Sequence, residues 1–206
     1  MQKNGSHIPD ERWEILTVED GLNIFSGAPF SWYVAGGYAV EQFLGRPSRD
    51  FHEDLDIGVF RDEQLAAQSW LEEWLLFAAD PPGTLRPWHQ GEYLPVGVHD
   101  IWGHRLDSEA WQLQLMLQEV EGDEWYSRRD PAVRGQRSGL IEVYGDVPCI
   151  RIEVQLHYKA KGQRPKDEID FAACLPHLNE ERKRWLRRSL QQQYPQGHEW
   201  LDALKK

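Results

Sequence analysis

The chain has 206 residues, of which 40% are hydrophobic and 12% aromatic, with ten Trp; that builds a sizeable core and excludes a disordered chain. Its 23 Lys and Arg against 34 Asp and Glu leave a net charge of −11, unevenly spread: residues 1–150 carry 11 basic and 26 acidic side chains, and residues 151–206 carry 12 and 8. An acidic major part argues against duplex DNA as the main ligand, since phosphates are bound by Lys and Arg, and suits a cationic substrate or a metal held by carboxylates.

Residues 1–12 read as a polar lead-in. Thr17 is placed to cap a short helix running to about Ser26, with Glu19 and Asp20 in its first turn. Trp32-Tyr33-Val34 is a short strand, Ala35-Gly36-Gly37 a tight turn, and Tyr38–Leu44 a second helix stopped by Gly45. Leu55–Phe60 is a strand by its apolar content. Over Asp62–Ala79 the residues Leu65, Trp70, Leu71, Trp74, Leu75 and Ala78 recur at helical spacing, which predicts one long helix ended by Asp80-Pro81-Pro82-Gly83.

From Thr84 to Arg129 the pattern turns to strands, at Val98–His104, Trp111–Leu117 and Trp125–Arg128. Leu140–Tyr144 and Val147–Ile152 flank Gly145-Asp146, a hairpin signal. The rest is helical: about Glu153–Lys161, Asp167–Leu175, Glu180–Gln193 behind an Asn179 cap, and a short piece at Glu199–Leu204. The fold expected is α+β, a mixed sheet flanked by helices over residues 1–150 and a small helical subdomain over residues 151–206. Cys149 and Cys174 show no metal or redox spacing and read as buried thiols in a reducing compartment. No apolar run approaches the ~18 residues of a membrane span, and no signal peptide is visible at the start, so the chain is expected to be soluble and cytoplasmic.

Chemistry concentrates between Ala35 and Phe60. Gly36-Gly37 lies between a strand and a helix, where glycine admits close approach and a helix start offers free amides to phosphate. Some seventeen residues on, Asp54-Leu55-Asp56 enters a strand, so its two carboxylates share one face. Such a pair repels itself unless a cation lies between, and Mg²⁺ takes carboxylate and phosphate oxygens. A phosphate cradle with paired carboxylates is the equipment of phosphoryl or nucleotidyl transfer.

The stretch AGGYAVEQFLGRPSRDFHEDLDIGVF resembles the polymerase-β-like nucleotidyltransferase superfamily. Within it, the match is to the aminoglycoside 2″-adenylyltransferase and lincosamide nucleotidyltransferase branch. Gly36, Gly37, Ala39, Leu44, Gly45, Arg46, Arg49, His52, Asp54 and Asp56 stand in the family's places; Tyr38, Glu41 and Ser48 replace its usual Trp, Asp and Thr. A second stretch, EVQLHYKAKGQRPKDEIDF from Glu153 to Phe171, resembles the helix-loop-helix of minimal nucleotidyltransferases. The resemblance implies a polymerase-β-like core and transfer of a nucleoside monophosphate, AMP from ATP, to a hydroxyl. In it Asp54 and Asp56 hold Mg²⁺, and Gly36, Gly37, Arg49 and Lys159 bind the triphosphate. Arg164, Lys166, Asp167 and Asp170 brace the helical tail, and the tail closes the nucleotide cleft. His52 orders its own loop.

The superfamily supplies a third carboxylate from a later strand, and there this chain has Gln114, which neither acts as a base nor replaces a charged metal ligand. Glu153 is the first candidate to take that role and Asp100 the second, with Glu119 behind them. For the acceptor, an exposed Trp88 with Glu92, and Trp102 beside Asp100, suit an amine-bearing sugar through stacking and ion pairing. The expected acceptor is a small hydroxylated, cationic molecule such as an aminoglycoside or lincosamide antibiotic. Two alternatives stand beside it: a toxin-like transferase acting on tRNA or protein, supported by the basic helix Glu180–Gln193, and a catalytically silent nucleotide-binding homologue, supported by Gln114.

Overall fold

A computed structural model describes residues 12–49, 52–162 and 164–205, so the polar lead-in lies, except for Arg12, outside the described residues. Thr17 caps α1 (Val18–Ile24) in a reciprocal box: its hydroxyl accepts from the Asp20 N–H at 3.1 Å, and the Asp20 carboxylate accepts from the Thr17 N–H at 2.8 Å. β1 (Trp32–Val34) leads into α2 (Gly36–Leu44), which begins at Gly36 rather than Tyr38. Gly36 takes φ +66°, a conformation costly for any side chain, and Gly45 closes the helix in the left-handed region. β2 (Asp56–Phe60) follows the acidic pair.

The long helix expected over Asp62–Ala79 is wrong. A single-turn 3₁₀ element at Arg61–Glu63 and α3 (Gln64–Trp70) are followed by a strand, β3 (Trp74–Ala79). Six consecutive apolar residues satisfy any period, helical included, so spacing could not separate the two readings. Burial decides it: β3 lies between β4 (Leu85–Pro87) and β5 (Asp100–Arg105), antiparallel to both, and an inner strand covered on both faces reads as a continuous apolar run. β6 (Leu113–Gln118) pairs antiparallel with β5, with Trp102 opposite Gln114.

By compactness the chain forms two units, one from residues up to Trp32 with Glu53–Leu117, the other from Tyr33–His52 with Gln118 onward. This division differs from the functional one expected at residue 150. In the first unit the strands run β2-β6-β5-β3-β4 over a core that includes Leu55, Ile57, Phe77, Ile101, Leu113 and Leu115. Much of the tryptophan is used here, with Trp13 edge-on to Trp102 at 5.3 Å and Trp102 to Trp111 at 5.5 Å. A row of buried polar side chains ties a loop to the helical segment. Arg61 donates to the carbonyls of Leu94, Pro95 and Val98, Gln64 exchanges hydrogen bonds with the backbone of Leu94, and Gln68 does so with His89 and Gly91.

In the second unit β10 (Ile141–Tyr144) and β11 (Val147–Ile150) form the expected hairpin, and β1 joins β11 in parallel with Val34 opposite Cys149. The sheet is therefore mixed, and the fold is α+β. A small antiparallel sheet holds β7 (Val120–Glu121), β8 (Glu124–Tyr126) and β9 (Arg134–Gln136). Four helices follow: α4 (Ile152–Lys159), α5 (Pro165–Cys174), α6 (Glu180–Gln193, capped by Asn179) and α7 (Trp200–Ala203). They enclose Ile152, Leu156, Phe171, Leu186, Leu190 and Trp200, with Val40 of α2. Burial pushes both thiols, Cys149 and Cys174, up to about 12, which keeps them unreactive.

His157 is wholly buried, its Nε2 2.9 Å from Ser127 Oγ. Burial first, then the charge of Arg129, lowers it to about 4 from its ordinary 6.5. The unfolded chain therefore binds a proton between these values that the folded chain refuses, and stability should fall as pH drops from about 6.5 to about 4. His157→Gln should flatten that limb of the urea-denaturation profile, and an unchanged slope would place the acid sensitivity elsewhere.

Candidate functional site

The first unit carries the acidic half. Asp54 and Asp56 are half-buried while Leu55 between them is fully buried; Asp56 opens β2 and Asp54 lies two residues before it. The Gln114 N–H donates to the Leu55 carbonyl at 3.3 Å, which sets the middle of β6 alongside that start. Gln114 Nε2 in turn donates to Asp100 Oδ1 over a long 3.5 Å. The amide standing where an acid was expected thus reaches an acid one strand further on. Among the described residues no group of three His, Cys, Asp or Glu side chains is arranged to hold a metal ion. Two carboxylates that leave the remaining positions to water and substrate oxygens are the donor set Mg²⁺ ordinarily takes, so Asp54 and Asp56 fit it. This unit holds five Lys and Arg against seventeen Asp and Glu, a net of −12, whereas the second unit carries +1.

The second unit carries the glycine turn. The Gly36 N–H at the start of α2 is already used, donating to the buried Gln155 Oε1 at 2.9 Å. Positive φ belongs to Gly36 alone of the two, but Gly37 is the more confined: a Cβ there would overlap Arg49 Nη2 and come within 2.7 Å of His52 Nδ1. His52 stacks on Tyr38 at 3.8 Å and meets Glu41 Oε1 at 3.0 Å.

Lys159 is 7% exposed and forms ion pairs with two fully buried acids, Asp170 at 2.8 Å and Asp167 at 3.5 Å. Asp170 also accepts from Ser48 Oγ at 3.1 Å and lies 3.4 Å from Arg49 Nε, while Arg164 pairs with Asp167 at 2.7 Å. Burial alone would raise the Asp167 carboxyl, but the Arg164 hydrogen bond and the Lys159 and Arg164 charges hold it below the usual range. The cluster ties α5 to the loop after α2. The family resemblance assigns Lys159 to phosphate, and nothing local in the sequence singles out Gln155, whose partner is the distant Gly36 amide.

Glu153, the first candidate for the third acid, is 2% exposed. Its Oε1 is 2.7 Å from Arg151 Nη2 and its Oε2 3.8 Å from Arg182 Nε, and burial pushes its carboxyl up despite those charges. Arg182 itself clamps Glu142 with two 2.7 Å contacts. Glu119, the reserve candidate, is also buried.

Of the residues expected to meet an acceptor, Trp88 is buried rather than exposed, its indole N–H donating to the Glu92 carbonyl at 2.7 Å. Glu92 is forked onto Arg86 at 2.7 and 3.0 Å, which holds its carboxyl below the usual range. Trp102 is half-buried within the tryptophan cluster. A hydrophobic indole satisfied by its own loop packs better than it stacks on solvent, so Trp88 is a core residue.

No known protein-family profile matches the sequence, and no curated protein sequence matches it. The three-dimensional fold is nonetheless that of the antibiotic nucleotidyltransferases. The solution structure of the antibiotic-resistance factor ANT(2″)-Ia matches over 87% of this chain and 91% of its own, with TM-score 0.54 at 17% identity. The lincomycin-bound lincosamide adenylyltransferase LnuA matches over 76% and 92%, with TM-score 0.51 at 16% identity. ANT(2″)-Ia in complex with adenylyl-2″-tobramycin matches over 84% and 94%, with TM-score 0.51 at 14% identity. Among the described residues no helix is long and apolar enough to cross a membrane.

Proposed function

We propose that this chain is a Mg²⁺-dependent nucleotidyltransferase that moves AMP from ATP onto a hydroxyl of a small cationic acceptor of the aminoglycoside or lincosamide kind, in the cytoplasm. The observation that carries the reading is the acidic strand start Asp54-Leu55-Asp56, with Asp100 linked to it through Gln114. Asp54 and Asp56 would hold the cation, which when bound neutralises charge on the triphosphate and its leaving group. Gly37 at the start of α2, with Arg49, would bind the phosphates, helped by the helix dipole, while the Gly36 N–H is held by Gln155 and Lys159 by Asp167 and Asp170. The acceptor oxygen attacks the α-phosphorus as the bond to the β-phosphate oxygen breaks, and pyrophosphate leaves.

The acceptor's proton goes to a base, and Asp100 takes that role in preference to Glu153, whose carboxylate is occupied by Arg151. The net −12 of the first unit favours an acceptor with several ammonium groups. Trp102 and Glu92 remain candidates for its recognition.

The test is pyrophosphate release from ATP and Mg²⁺ with tobramycin and lincomycin as acceptors. Acceptor-dependent release is expected, and Asp100→Asn should lower turnover by about 10²–10⁴-fold with ATP affinity within a few-fold. Turnover at the wild-type rate in Asp100→Asn would remove it as the base. Nucleotide binding without release under any acceptor would leave the catalytically silent reading in its place. Gly37→Val, whose side chain has no room beside Arg49 and His52, should weaken ATP binding by more than about tenfold, since the displaced groups line the phosphate turn. Unchanged ATP affinity in the folded variant would mean that the Gly-Gly turn serves structure alone.

A further inference from the structure

The second unit contains a cavity of about 210 Å³ lined by Arg151, Glu153, Glu181, Arg184, Trp185 and Arg188. Glu181, Arg184, Trp185 and Arg188 are spaced three, four and seven along α6 and so form one stripe, and Arg151 and Glu153 stand at the start of α4, where Arg151 makes no side-chain cap. Charge along the wall is not balanced by the wall itself. Glu153 is engaged by Arg151 and Arg182, and Glu142 takes up Arg182, whereas among the described residues Arg184 and Arg188 meet no carboxylate within ion-pair distance. Like charges four apart on a helix repel each other, so the pair is unfavourable until an anion joins it.

A second demand comes from Glu153. Its Oε2 is buried without a hydrogen-bond partner, the Arg182 contact of 3.8 Å being too long for one. A buried carboxylate oxygen left in that state needs a donor, and Glu153 is among the residues that line the cavity. Three guanidinium groups against two carboxylates rule the ligand anionic overall, and guanidinium groups match phosphate oxygens in pairs. The volume falls below the ~300–1,000 Å³ of drug-sized sites, which suits a short ligand.

We propose that this cavity is a binding site for a small hydroxyl-bearing phosphate monoester of the sugar-phosphate class, its phosphate held by Arg184 and Arg188 and a hydroxyl donating to Glu153 Oε2. Trp185 supplies the apolar wall against the carbon skeleton. The assignment does not rest on the proposed transferase reaction, and it gives Glu153 a ligand in place of a catalytic duty.

The full chain, in buffer with a chelator in place of Mg²⁺, is titrated with ribose 5-phosphate, inorganic phosphate and ribose, followed by calorimetry. Ribose 5-phosphate should bind at least about tenfold tighter than inorganic phosphate, and ribose should not bind. Arg184→Gln combined with Arg188→Gln should weaken ribose 5-phosphate by more than about tenfold; both side chains are exposed, so the melting temperature should hold. Undiminished binding in that double variant overturns the site. Equal affinity for inorganic phosphate and ribose 5-phosphate overturns the role of Glu153 and with it the sugar-phosphate class. A single-stranded oligoribonucleotide that binds far more tightly through the same arginines overturns the small-ligand assignment in favour of a strand.

Discussion

Asp56→Asn is expected to lower nucleotidyl transfer by at least about a thousandfold, and Asp54→Asn to do the same. On the proposed reading each removes one of two charged oxygen donors, at the first residue of β2 or two residues before it, and an amide is a weak substitute toward a hard divalent cation. A thousandfold is roughly 4 kcal/mol of lost transition-state stabilisation, within what a metal supplies to a transferring phosphoryl group. The fold should survive, since the substitutions lower the negative charge of a unit that carries −12 and leave the side-chain volume unchanged. Circular dichroism and the melting temperature check the second half, and acceptor-dependent pyrophosphate release the first. Retention of more than a few per cent of the wild-type rate in either variant would sink the assignment.

Lys159→Met should have the largest effect on stability. The ammonium is nearly enclosed and lies 2.8 Å from Asp170 and 3.5 Å from Asp167, both wholly buried. Removing one member of a buried pair leaves the other charged and poorly solvated, a loss of about 3–5 kcal/mol. In a chain of this size that lowers the melting temperature by roughly 6–20 °C. Met keeps the length and apolar bulk of the side chain, so the drop reports charge and not a void. If Lys159→Met melts within 2 °C of the wild type, Arg49 and Arg164 alone balance the two acids and Lys159 is surplus to the cluster.

What sequence reveals here depends on whether the determinant is local. The Thr17 cap, the Asn179 cap, the Gly45 stop and the Gly145-Asp146 hairpin are settled by neighbours in the chain, and all four are legible. Trp74–Ala79 was not, because its partners β4 and β5 lie further along the chain and nothing within the six residues distinguishes strand from helix. The candidate site follows the same division. Asp54 and Asp56 announce themselves by alternation around Leu55, and the glycines by their place between strand and helix. Gln155 was missed because its partner is the Gly36 amide, 119 positions away. Residue type carries no information about the Glu92 carbonyl that satisfies the Trp88 indole, so the burial of Trp88 is not legible in the sequence. An acid at a helix start looks available in sequence, and only the structure shows Arg151 and Arg182 around Glu153.

The row of Arg61, Gln64 and Gln68 does more than fasten the loop it touches. Between Trp88 and His99 the chain has neither helix nor strand, yet its amides and carbonyls are bonded to three side chains of one helical face. On its outer side that loop holds Tyr93 and Val96 in solvent, 54% and 70% exposed. A loop of this length left slack would surrender its conformational entropy to whatever docked on it, at about 1–2 kcal/mol for each residue fixed. Here the ordering is completed when the chain folds, so anything that meets Tyr93 and Val96 finds them already in place. The loop is thus held by three buried side chains, and losing any of them would leave backbone groups unpaired as well as slacken the loop.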